Sequence, residues 1–167
     1  MNYTVTENRK MKIGIRILFC IYFIFLIKVI LFKYPINIAI SALKAGEIPP
    51  LAVRLESANF IPTKTIFRFV VISKNLRVSA ENLLGNIAIF APLGFLLPII
   101  LKRKIHSLKS VVIASFFVSL AMETAQLLFN LGIFDVDDLF LNTIGGTLGG
   151  ICFFICYKLF KTMKRLK

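Results

Sequence analysis

The chain has 167 residues, 57% of them hydrophobic, with 17 Phe and a mean hydropathy of +0.82. Soluble domains carry about 45–50% apolar residues, and a chain this short has no interior large enough to hide the excess, so a soluble fold and a disordered chain are both poor readings. Twenty-one Lys and Arg against eight Asp and Glu give a net charge of +13; because these cations mostly flank apolar runs, the partner they point to is the lipid bilayer and not nucleic acid.

His106 is the lone histidine, which excludes a His-rich metal site. Cys20, Cys152 and Cys156 lie in apolar runs and form neither a disulfide framework nor a CxxC motif. Cys152 and Cys156, one helical turn apart, read as packing residues. No metal and no cofactor are expected.

The spans follow in chain order. The first covers about residues 13–32, interrupted by Arg16 and Lys28, both close enough to an end to snorkel. About 20 residues at ~1.5 Å each cross a ~30 Å hydrocarbon core. Arg9, Lys10 and Lys12 precede it as in a signal peptide, but the run exceeds the ~7–15 apolar residues of a signal sequence, so an uncleaved span is expected. A long connector follows, from Lys33 to Asn82. Its IPTKTIFRFVVI segment, 61–72, is too short and too charged to span; it lies in the interface, folds back on the bundle, or remains a partly ordered loop.

The second span covers about 83–101 and contains Pro92, Gly94 and Pro98, tolerated where neighbours satisfy the freed carbonyls. The third covers about 110–131 and the fourth about 139–157. Gly145 with Gly149, and Gly146 with Gly150, make two overlapping GxxxG spacings, which let another helix approach closely. GGTLGG lacks the GK[ST] of a phosphate-binding loop. The reading is an all-α polytopic membrane bundle of four transmembrane helices, with residues 1–167 as one domain.

Orientation follows from the basic residues outside the spans. Twelve lie before the first span, between the second and third, and after the fourth; seven lie in the connector, spread over a much longer stretch. Both termini are therefore expected in the cytoplasm and the connector outside it, although seven cations there count against this placement.

All three Asp fall in one four-residue window, Asp135, Asp137 and Asp138, and Glu123 is the one acid inside a span. Glu123 sits eight residues before Leu131, about 12 Å below the end of its span at ~1.5 Å per residue. A carboxyl at that depth marks a functional site by default, with interhelical hydrogen bonding as the plain alternative. Gln126 and Asn130 share its helix face by spacing. Asn82 with Asn86, and Asp138 with Asn142, are i,i+4 pairs at the starts of the second and fourth spans. With this topology Asn86, Glu123, Gln126, Asp135, Asp138 and Asn142 converge on one outward-facing polar pocket. For Asp135 and Asp137, helix capping explains the residues equally well.

NLLGNIAIFAPLGFLLP at 82–98, ETAQ at 123–126 and FDVDDLFLNTIGG at 134–146 occur in that order on three consecutive spans. Together they resemble the VanZ-like family of teicoplanin-resistance membrane proteins, whose pattern is an Asn-containing span ending FxPxG, then ExxQ, then DxxDxxxNxxGG. The matching positions are Phe90, Pro92 and Gly94; Glu123 and Gln126; Asp135, Asp138, Asn142, Gly145 and Gly146. NFIPTKTI at 59–66 resembles the family's segment before the second span. Some members carry an Arg just before the acidic motif, where this chain has LGIF at 131–134.

The resemblance implies a bacterial cytoplasmic-membrane protein, and its name-giving member lowers susceptibility to teicoplanin; with the outward polar pocket and the basic connector, the leading expectation is a protein that lowers susceptibility to teicoplanin or related lipoglycopeptides without chemically modifying a substrate, and so is not an enzyme. Its ligand would be a lipid-linked cell-wall precursor or the antibiotic's lipid-bearing body. Two other readings stay open. One is a membrane enzyme acting on a lipid head group, using a cation held by the acids or Glu123 as base. The other is a small transporter coupled through Glu123.

Overall fold

The computed structural model describes residues 9–31, 48–72, 76–101, 105 and 107–165. Lys33 and His106, residue 32 at the end of the first expected span, and the basic residues Lys44, Lys74, Lys102, Arg103, Lys104 and Lys167 counted for orientation lie outside the described residues. The described residues form long helices α1 (Arg9–Leu31), α4 (Leu76–Ile100), α5 (Leu108–Phe129) and α6 (Val136–Arg165). Between α1 and α4 lie the short helices α2 (Leu51–Ser57) and α3 (Lys64–Phe67), the latter continued by a π-helical turn over Arg68–Ile72. Each of the four long helices contains a stretch long and apolar enough to cross a membrane.

Large apolar side chains such as Ile21, Ile24, Phe117, Leu148 and Ile155 face outward along these helices. In water that surface would be untenable; in hydrocarbon it is the expected outer face, with every backbone bond kept inside a helix. Cys152 and Cys156 are on this outer surface too, so their role is not packing inside the bundle.

α6 is the central helix, and its glycines decide why. A Cβ on Gly145 would lie 2.9 Å from the Ile87 Cα, and one on Gly149 would lie 2.9 Å from the Phe95 nitrogen, so no side chain fits on this seam with α4. Gly146 and Gly150, on the neighbouring stripe, abut Ser115 and Val111 of α5. The two GxxxG spacings thus serve two different partners, and α6 seats its backbone between α4 and α5. On the other side of α4, Leu26 and Ile30 of α1, Phe90, Leu93 and Leu97 of α4, and Met122 of α5 make the apolar core. The Tyr22 hydroxyl adds a polar tie, donating to the Ile89 carbonyl at 2.6 Å.

α5 starts at Ser107, whose hydroxyl accepts from Ser110 N–H at 3.3 Å. It ends at Asn130, which takes a left-handed conformation at φ 53°. The expectation that Asn130 continues the face of Glu123 and Gln126 is therefore corrected: Asn tolerates the left-handed region and closes the helix instead. The Asn130 and Leu131 N–H groups both turn back to the Gln126 carbonyl.

Candidate functional site

The C-terminal ends of α1 and α5, the N-terminal ends of α4 and α6, and residues 48–72 meet at one end of the bundle. Of the readings open for residues 61–72, folding back on the bundle is the one the contacts show. Asn59 pairs with Asp135 as an isolated parallel bridge, with Asn59 N–H to the Phe134 carbonyl at 2.8 Å and Val136 N–H to the Asn59 carbonyl at 3.0 Å. The Phe60 and Phe134 rings back this bridge, their centroids 5.3 Å apart. Arg54 reaches the far end of α5 and donates to the Leu127 and Leu128 carbonyls at 2.6 and 2.8 Å. A helix C-terminus has unpaired carbonyls and negative dipole character, and a guanidinium answers both.

Asp137 is the strongest anchor. It is fully buried, and its carboxylate accepts from the backbone N–H groups of Thr63, Thr65 and Ile66 at 2.5, 2.6 and 3.2 Å. α3 has no side-chain cap of its own, and Asp137 supplies the missing acceptor from 74 residues away. Reading Asp137 as a cap for its own helix is corrected accordingly. Thr63 is held at φ 68°, a left-handed conformation rare for a β-branched residue. That turn lets the Thr63 and Thr65 N–H groups point at one carboxylate, so the anchor and the strain belong together.

Asp135 does two jobs. Its Oδ1 accepts from the Asp137 N–H at 2.8 Å, which caps α6, and from the Asn59 carboxamide at 2.8 Å. Its Oδ2 accepts from the Thr65 hydroxyl at 2.6 Å. Glu123, fully buried, accepts the Asp135 N–H at 3.0 Å. The carboxamide of Asn86 donates to Asp138, joining α4 to α6. Asn142, one turn deeper in α6 and fully buried, donates to the Ser119 hydroxyl at 2.9 Å. Gln126 donates to the Ile30 carbonyl at 2.8 Å and so fastens α1 to α5.

These contacts divide the six candidate residues. Gln126, Asp135 and Asp138 border a cavity of about 430 Å³, together with Asn59, Thr65 and Asn82. Asn86, Glu123 and Asn142 are not among its lining residues and hold the helices in place, and Asn86 borders a neighbouring space between α1 and α4. Asn142 is on the inward side because a further turn of helix carries it down to Ser119. Lys64 and Arg68 of the connector also line the cavity. The charge pattern alone gave no reason to single them out from the other connector cations, although NFIPTKTI contains Lys64. They put positive charge on the cavity wall of a chain whose stretch before the acidic motif, LGIF, has none. Among the described residues, no three His, Cys, Asp or Glu side chains gather as a metal-binding group.

The polar cavity at the helix ends, the anchored 59–66 segment and the glycine seam are the places where the sequence motifs meet in space. Residues 19–158 match the profile of the VanZ/LLP1 family. None of the curated proteins or solved structures compared with it matches the chain. With four helices among the described residues long and apolar enough to cross a membrane, and a match over most of its length, the chain is a multi-pass membrane protein that belongs to the VanZ/LLP1 family.

Proposed function

We propose that this protein lowers the susceptibility of a bacterial host to teicoplanin or related lipoglycopeptides, acting in the cytoplasmic membrane by binding and without chemically altering a substrate. Its termini lie in the cytoplasm and its cavity opens at the outer face, as the dense basic residues at the terminal end of α6 favour. One observation carries this reading. Four separate parts of the chain bring carboxylates, carboxamides and cations to a single cavity at one end of an otherwise apolar bundle. Polar groups in membrane proteins are costly, so a cluster walled by buried supports such as Glu123 and Asn142 has the character of a site.

The test is the teicoplanin susceptibility of a sensitive host with and without the gene. A several-fold rise in inhibitory concentration, absent for a glycopeptide lacking the lipid tail, is the expected result. Equal susceptibility at verified membrane expression rejects the role.

A further inference from the structure

The cavity at the connector end is lined by both signs of charge. Lys64 and Arg68 come from the connector, four residues apart and so on one helical face. Asp135 and Asp138 come from the start of α6. Among the described residues, neither Lys64 nor Arg68 enters an ion pair. Gln126 is an independent sign that the space is built for a ligand. It borders the cavity at 1% exposure, and its carboxamide oxygen is a buried acceptor without a hydrogen-bond partner. Such an acceptor calls for a donor.

Asn82 also borders a second space of about 480 Å³ between α1 and α4. Besides Glu81, Asn82 and Asn86, that groove is walled by Val29, Ile30, Gly85, Ala88 and Ile89, within the membrane-crossing part of the bundle. A compartment of mixed charge therefore adjoins, across Asn82, a largely apolar groove, which is the outline of an amphiphile.

We infer, resting on the reading of this cavity as the functional site, that it holds the headgroup of an aminophospholipid, a phosphodiester bearing a primary ammonium. The phosphate lies against Lys64 and Arg68. The ammonium lies against Asp135 and Asp138, with the Gln126 oxygen as a further acceptor, and one acyl chain occupies the α1–α4 groove. The charges decide against simpler heads. An anionic glycerol headgroup would bring no positive charge to the side of the cavity where the two carboxylates stand. A choline headgroup has the charge but no N–H to donate to them.

The experiment uses the purified full chain in detergent, offered equal amounts of phosphatidylethanolamine, phosphatidylglycerol and phosphatidylcholine with identical acyl chains. Retained lipid is read by native mass spectrometry. Phosphatidylethanolamine should be retained several-fold over the other two, and soluble glycerophosphoethanolamine should displace it where glycerophosphoglycerol does not, which separates head recognition from acyl-chain adhesion. Asp138→Asn should shift the preference toward phosphatidylglycerol, and Lys64→Ala with Arg68→Ala should lower retention of phosphatidylethanolamine.

Retention in proportion to supply, or a preference for phosphatidylglycerol or phosphatidylcholine, overturns the inference on the wild-type protein alone. So does an unchanged preference in folded Asp138→Asn. No antibiotic enters this measurement. A protein that protects its host without headgroup preference loses this inference only, and a selective protein that leaves the host sensitive loses only the susceptibility reading.

Discussion

Asn59 and Asp135, 76 residues apart, are joined through both side chain and backbone: the carboxamide donates to Oδ1 at 2.8 Å, and the two residues pair as a parallel bridge. Pairing of backbone is insensitive to side-chain identity, whereas the carboxamide–carboxylate bond fixes which residues stand opposite. The result is that a segment with no span of its own is laid across the start of α6. Lys64 and Arg68 thereby border the same cavity as Asp135 and Asp138.

Asp137 should be the most sensitive point of that attachment. Asp137→Ala removes a buried acceptor of three backbone N–H groups and leaves the strained Thr63 turn without its restraint. The expected cost is about 2–4 kcal/mol for the docked connector. Limited proteolysis should show cleavage within 54–68 in Asp137→Ala under conditions where the wild type is intact, while the long helices remain protected. Equal protection in both would show that Asp137 does not hold the segment.

The glycine seam predicts opposite signs at two glycines. Gly149→Val drives a side chain into the α4 backbone near Ala91 and Phe95, and should cost about 3 kcal/mol or more, read as lost folded protein in detergent. A Cβ at Gly14 meets nothing within 4 Å. Gly14→Ala should be neutral or stabilise α1 by about 0.5–1 kcal/mol.

The four long helices were legible because a membrane span is a local signal of length and composition, readable without any knowledge of partners. The glycine pairs were legible as close-approach sites for the same reason. Which partner each stripe meets was not, since GxxxG carries no address. Glu123 and the Asp window announced themselves by being rare. That Asp137 would cap α3 could not be read, because its partners are backbone N–H groups that every residue owns. Arg54, answering the end of α5, likewise looks like any connector cation in the sequence. The i,i+4 spacing of Asp138 and Asn142 puts Asn142 near the cavity in the sequence, but its bond to Ser119 lies on the α5 side and it is not among the lining residues.

Sidedness can be checked apart from function. In a background with Cys20, Cys152 and Cys156 replaced by Ser, Ile61→Cys places a thiol on the exposed connector and Met163→Cys one near the basic end of α6. A membrane-impermeant maleimide should label Ile61→Cys in intact cells and Met163→Cys only after permeabilisation. The reverse pattern would put the cavity on the cytoplasmic side.

The most direct measurement sets wild type beside Asp138→Asn, Lys64→Ala with Arg68→Ala, and Asn142→Ala in one teicoplanin-susceptibility assay, with membrane insertion and folding verified for each. The cavity-lining changes should return the host to full sensitivity while leaving insertion and folding normal. Asn142→Ala, which loses one buried bond to Ser119, should cost about 0.6–1.7 kcal/mol of stability and leave protection in proportion to the folded protein that remains. Full protection by the inserted, folded cavity variants would contradict the account.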